Sequence, residues 1–335
     1  MKVTMALFPR ALSPLPLLSL LLRRPSPQPD RLSYALVRAT VLELAVLAGH
    51  VLVYPSGMTP ERRAPAVRPG PGSRTAPAAG SPTRAGTDAR PVIAPGTAAE
   101  TARLTRSADT AAPSADPFGG SPADDRPPVV LLHGFIDNRS VFVLLRRFLA
   151  RHGWHHLESL NYSPLTCDVR TAAELLARHV EEICDRTRHP EIDIVGHSLG
   201  GLIARYYVQC LGGDRRVRTL VTLGTPHEGT AVAPLAAALP IVRQMRTGSD
   251  LIKELRRPAP GCRTRFVSFW SDLDRVMVPV GTARVDHPDL DAVNVRVTGI
   301  GHLALPVHPA VAAAIRQALE SDGGVIDTPG ATSVA

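Results

Sequence analysis

The chain has 335 residues, 44% of them hydrophobic, and a formal net charge of +8. That apolar content can build a sizeable core, while the charge raises nucleic acid or anionic lipid as partners. The positive residues are almost all arginines, with Lys2 and Lys253 the only lysines, and they are dispersed without interleaved aromatics, so a solvated surface is expected and nucleic-acid binding is not.

Taken in chain order, residues 1–54 carry two apolar stretches. LSPLPLLSLLL, after Lys2 and Arg10, has the character of a signal sequence, but prolines interrupt it and no A-x-A cleavage site follows. YALVRATVLELAVLAGHVLVYP approaches the ~20 residues of a bilayer span. Arg38, Glu43 and His50 inside it are each unfavourable in lipid. A membrane anchor, a surface-lying helix and a helix docked on the following domain all remain open. Residues 55–127 are dominated by Pro, Gly, Ala, Ser, Thr and Arg; they cannot bury enough apolar surface to offset their ordering entropy and read as a disordered linker.

From residue 128 to 321 apolar strands alternate with amphipathic helices. PVVLLHG reads as a strand, VFVLLRRFLARHG as a helix, HHLESLNY as a strand and VRTAAELLARHVEEICDRT as a helix. EIDIVGH followed by SLGGLIARYYVQCLGG repeats the pair. VRTLVTLG, RTRFVSFW and NVRVTGI are further strands, and AVAAAIRQALE closes the domain as a helix. Such alternation implies an α/β fold, a mostly parallel sheet with helices on both faces. Residues 322–335 read as a flexible tail. Cys167, Cys184, Cys210 and Cys262 show no CxxC spacing, which argues against a zinc or thioredoxin-type centre; they suit either exported disulfides or buried thiols. No metal-ligand constellation and no cofactor motif is evident.

Gly196-His197-Ser198-Leu199-Gly200 is a G-x-S-x-G placed after a strand and opening a helix, the context in which this pattern forms a nucleophile elbow. Gly196 and Gly200 would let strand and helix close on one another, lifting the Ser198 hydroxyl to the carboxyl edge of the sheet. A serine needs a base. His302, in the loop after the last main strand, is placed for that role ahead of His227, His287 and His308. The acid should follow the preceding strand, where Asp272 and Asp274 compete; Asp274 precedes an apolar run that would bury it. Oxyanion donors are expected from the N–H of Leu199 and, after PVVLLHG, that of Phe135.

PVVLLHGF, VGHSLGGLIARYYVQ, TLGTPHEGT, SFWSDLDRVMVP and TGIGHLALP, in that order, resemble the actinobacterial lipase/esterase branch of the α/β-hydrolase superfamily over roughly residues 128–320. The resemblance implies a secreted or envelope-associated carboxylic-ester hydrolase with Ser198, Asp274 and His302 at the triad positions. WSDLD resembles that family's acid loop, which favours Asp274 over Asp272. The insertion AVAPLAAALPIVRQMRTGSDLIKEL reads as an apolar excursion and an amphipathic helix, either a lid or ordinary packing. As a lid, its Pro234, Leu235, Leu239, Ile241 and Val242 would wall an acyl site. Acyl transfer, thioesterase or amidase chemistry would use the same residues, and a tethered, non-catalytic binding module is the rival from another class.

Overall fold

The computed structural model describes residues 31–57, 126–162, 167–232, 239–321 and 333–334. All of them fall in one compact unit. The first apolar stretch, nearly all of the expected linker and most of the expected tail lie outside the described residues.

Helix α1 spans Arg31–Gly57. The strands are β1 (Val129–Leu132), β2 (Leu157–Leu160), β3 (Ile192–His197), β4 (Val217–Leu223), β5 (Arg265–Ser271), β6 (Asp291–Val297) and the two-residue β7 (Ser333–Val334). Between them run α2 (Val143–Arg151), α3 (Val169–Thr187), α4 (Leu199–Cys210), the short α5 (Pro240–Gln244) and α6 (Asp250–Leu255), and α7 (Pro309–Glu320). Every strand pair is parallel, in the order β2-β1-β3-β4-β5-β6-β7.

Why this sequence makes this sheet is visible in β1. Val129 and Leu131 point to one face and Val130 and Leu132 to the other, and all four are fully buried. With period-two alternation, a run apolar at every position fits only a strand covered on both sides. One face packs on α3 and α4 through Leu176, Val180, Leu202 and Ile203. The other packs on α2 and α7 through Leu145, Leu149, Val311 and Ile315. Helix α3 is set by its stripe of buried residues and by the Asp168 side chain, which accepts from Thr171 N at 2.8 Å and caps its first turn.

The strand order places the site. The chain leaves β1 toward β2 and then returns to β3 on the other side of β1, so the crevice between β1 and β3 is the point where the direction of winding reverses. Open parallel sheets bind ligands at such a point, beyond the carboxyl ends of the strands. Leu132 pairs with Gly196 and His197 with Leu223, so the ends of β1, β3 and β4 stop level with one another.

Two features depart from the sequence reading. The expected single amphipathic helix after residue 239 is two short helices, broken at Gly248, which has φ +74°. Ser249 then caps α6, its side chain accepting from Ile252 N at 3.3 Å. The second feature is Arg205, fully buried inside α4. It donates to Gln209 Oε1 at 2.6 Å, to His227 O at 3.2 Å and to Leu255 O at 3.0 Å, tying α4 to the loop after β4 and to the end of α6. Burial pushes its pKa down to about 10, yet the guanidinium stays charged at neutral pH. All four cysteines are free thiols.

Candidate active site

Ser198 sits at the corner between β3 and α4 with φ +52° and ψ −118°. A non-glycine residue in that region is strained by roughly 1–3 kcal/mol and persists only where its surroundings hold it. Here they do. Ser198 N donates to Leu223 O at 2.8 Å, and Ser198 O accepts from Gly201 N at 3.1 Å and from Thr225 Oγ1 at 3.0 Å.

The two motif glycines have different neighbours. A methyl carbon on Gly196 would lie 2.5 Å from Gly201 Cα, the strand–helix collision expected from the sequence. On Gly200 it would lie 2.3 Å from Leu132 O and 2.7 Å from His133 O. Gly200 therefore makes room for the end of β1, and this close approach brings the loop after β1 onto the elbow. In that loop, a methyl carbon on Gly134 would lie 3.4 Å from Ser198 Cβ. Phe135 N–H follows directly, and Leu199 N–H is the first of α4, a position with no carbonyl of its own helix to bond. Tyr162 holds this loop from the β2 side: its hydroxyl donates to His133 O, and its ring stacks on the His133 imidazole at 4.4 Å.

Asp274 and His302 meet. His302 Nδ1 lies 2.7 Å from Asp274 Oδ2, and both side chains are buried. Asp274 Oδ1 accepts from Val276 N at 2.8 Å and from Met277 N at 2.9 Å, so each carboxylate oxygen is occupied and the group is fixed. Asp272 lies elsewhere, paired with Arg296 at 2.8 Å on a half-exposed surface. The pair packs against Gly224, the residue after β4: with φ +55°, a methyl carbon there would lie 2.9 Å from His302 Nδ1 and 3.0 Å from Asp274 Oδ2. With Nδ1 committed to Asp274, Nε2 is the nitrogen left for proton transfer. The His302 ring lies 4.9 Å from that of His197, the neighbour of Ser198, and His197 Nε2 is 3.2 Å from His302 O.

The other histidines are held in different surroundings. His227 is fully buried, with Nε2 3.0 Å from Thr222 Oγ1. His287 Nε2 lies 3.0 Å from Arg257 O, which holds it in a packed turn. His308 stands at the N-terminus of α7.

The electrostatics separate His302 from its neighbours. Burial by itself disfavours the imidazolium of His302, but Asp274, then Glu43 and Asp137, overcome it and raise the pKa above the ordinary value. Burial pushes His197 down even though Asp137 lies 3.3 Å from its Nδ1. His133 is lowered chiefly by burial as well. Among these three imidazoles, only His302 is set to gain a proton readily.

The proposed acyl wall is divided. Pro234 and Leu235 lie outside the described residues. Leu239 is partly buried against the core, while Ile241 and Val242 are buried in the same cluster as Leu251 and Leu255. Ile241 and Val242 thus pack the insertion down onto the domain. Three residues at the site went unread in the sequence: Gly224, Asp137 and Glu43. Asp137 was visible only as an acid two positions past Phe135. Glu43 had one signal, its being the lone carboxylate in α1.

The fold is that of the α/β-hydrolases, with Ser198 at the strand–helix corner of the sheet's reversal point and the Asp274–His302 pair packed against Gly224 at the end of the neighbouring strand. The sequence profile of the palmitoyl protein thioesterase family matches residues 128–276, a span that contains Ser198 and Asp274 and stops short of His302. A triacylglycerol lipase of Burkholderia plantarii is 29% identical over 140 residues, which cover 39% of this chain and 37% of that lipase. Among solved structures, mature Bacillus licheniformis lipase BlEst2 aligns over 61% of this chain and 96% of its own, at 17% identity and TM-score 0.50. Aspergillus fumigatus lipase B aligns over 59% of this chain and 53% of its own, at 17% identity and TM-score 0.53. At these identities the likeness to the solved structures is one of fold.

Proposed function

We propose that the protein is a serine carboxylic-ester hydrolase that works through an acyl-enzyme on lipid or other acyl esters. The observation that carries this reading is the buried Asp274–His302 hydrogen bond beside a serine held at positive φ. Ser198 Oγ attacks the ester carbonyl as His302 Nε2 takes its proton. Asp274 keeps the proton on Nδ1 and stabilises the imidazolium. The N–H groups of Leu199 and Phe135 receive the developing oxyanion. His302 then protonates the leaving alcohol, and water attacks the acyl-enzyme by the same steps in reverse.

Within the superfamily we assign the chain to the actinobacterial lipase/esterase branch, on the order of its motifs, and place it at the cell envelope or outside the cell. No helix among the described residues is long and apolar enough to cross a membrane. Association with lipid would instead use the outer face of α1, where Val37, Val41 and Leu52 are exposed.

Ser198→Ala in the full chain should lower turnover of p-nitrophenyl butyrate at least ~10³-fold while leaving the circular dichroism unchanged, and should abolish labelling by a fluorophosphonate. Wild-type turnover in that variant sinks the mechanism. A thioester reading is favoured by the family profile, and an acyl-CoA assayed against the matching oxoester decides between them. An added alcohol acceptor exposes acyl transfer.

A further inference from the structure

Helix α1 contains a single acidic residue, Glu43, and its side chain is buried. A lone carboxylate among Ala39, Leu42 and Val46 costs desolvation unless something on the docking surface repays it. What it meets is the His302 loop. Glu43 Oε2 accepts from Leu303 N at 2.9 Å and Oε1 from Ala304 N at 2.9 Å. Gly301 closes over the same group, since a methyl carbon there would lie 2.6 Å from Glu43 Cδ. The residue before His302 and the two after it are therefore all engaged by one side chain from 260 positions upstream.

We propose that Glu43 is a positioning residue for His302, reaching from α1 to fix the loop that carries the imidazole and adding a second negative charge beside it. The inference rests on the hydrolase reading, in which His302 is the base. A loop histidine needs its backbone fixed as well as its ring, because a displacement of about 1 Å in a reacting group can cost ~10²-fold in rate. Asp274 fixes the ring and Glu43 fixes the backbone immediately after it.

The charged and titratable groups around His302 come from every neighbouring element: Asp274 after β5, Glu43 on α1, Asp137 after β1 and His197 at the end of β3. Arg275 lines the small crevice between α1 and the acid loop with Glu43. Burial raises the Glu43 pKa against the opposing pull of its two N–H donors and of His302. The negative charge of Glu43 in turn helps to raise the pKa of His302.

The test uses the full chain as wild type, Glu43→Gln and Glu43→Asp, reading the His302 pKa by NMR titration and the pH profile of p-nitrophenyl butyrate hydrolysis. The base must be neutral to act, so kcat/KM rises with pH through the His302 pKa. Removing the Glu43 charge lowers that pKa, and the acid limb should move to lower pH by roughly half a unit to one unit. At the plateau kcat should fall about 10- to 100-fold with KM little changed. Glu43→Asp keeps the charge but not the reach, so it should retain the wild-type pKa and still lose kcat. A Glu43→Gln protein with an unmoved pKa and wild-type kcat overturns the proposal. So does one whose loss lies wholly in melting temperature. Should Glu43→Gln fail to fold, wild-type kcat in Glu43→Asp overturns it equally. A wild type that neither hydrolyses the ester nor binds a fluorophosphonate refutes the hydrolase reading, while the titration still decides whether Glu43 sets the His302 pKa.

Discussion

Two segments each deliver a buried carboxylate to the His302 loop, and they do so in opposite ways. Asp274 arrives on the loop after β5, 28 positions before the histidine, and bonds its ring at 2.7 Å. Glu43 arrives on α1, 260 positions before Leu303, and bonds only backbone. Asp274 lies in a stretch whose order, strand then acid then strand then histidine, is dictated by the sheet. Glu43 lies on a helix that the sheet does not require. The lesson is about range: what the parallel sheet orders can be read from spacing, and what docks onto its edge cannot.

Of the two carboxylates, Asp274 is the more sensitive to change. Asp274→Asn keeps the shape but offers Nδ1 an amide, so the ring loses both its tautomer and the charge that supports an imidazolium. Turnover of p-nitrophenyl butyrate should fall ~10⁴-fold, about 5.5 kcal/mol of transition-state stabilisation. A smaller loss here than in Glu43→Gln would reverse the proposed ranking of the two carboxylates.

That ordering also marks how far the sequence could be read. Helix α3 emerges from its apolar period, and β1, β3 and β4 from apolar runs that stop at glycine or histidine. The place of Ser198 at the strand–helix corner was legible because such a corner needs glycines at fixed offsets, and that of His302 because it follows the last main strand. The break of the insertion at Gly248 was not legible, since SDLIKEL continues a plausible helical period past it. Nor was the burial of Arg205. An arginine inside an amphipathic pattern reads as a solvated edge, and only the approach of His227 O and Leu255 O shows where its charge is satisfied. In α1, Arg38, Glu43 and His50 read alike as defects in a membrane span. Three-dimensional packing distinguishes the first two: Arg38 is exposed, and Glu43 is 3% exposed against a loop whose N–H groups need acceptors.

A second variant, at Gly224, disturbs the Asp274–His302 pair from the end of β4 and presses on the Leu305 side chain as well. Gly224→Ala forces a side chain into a left-handed residue, at a cost of roughly 1–2 kcal/mol, and sets its methyl carbon 2.9 Å from His302 Nδ1. The Asp274–His302 bond must then lengthen or rotate, and the Leu305 side chain, also 2.9 Å away, must give as well, while the added carbon does not meet Glu43 itself. Turnover should drop about 10- to 100-fold, with a modest fall in melting temperature. An alanine variant of wild-type activity would mean that the pair tolerates displacement, and that ring orientation matters less than the loop position Glu43 imposes.

The smallest effect belongs to the other acid of the same loop. Asp272 pairs with Arg296, and the two side chains are 32% and 53% exposed. An ion pair that open to water contributes at most ~1 kcal/mol, because solvent screens it and both chains lose freedom in making it. Asp272→Asn should therefore leave turnover within about twofold of wild type and shift unfolding by no more than that ~1 kcal/mol. The sequence offered Asp272 and Asp274 two residues apart with the same chemistry. Their difference lies entirely in which one the turn directs inward, where Val276 N, Met277 N and His302 Nδ1 converge on a single carboxylate. If Asp272→Asn instead cost as much as Asp274→Asn, the turn would have to rearrange in solution, and the acid assigned to His302 would have to change with it.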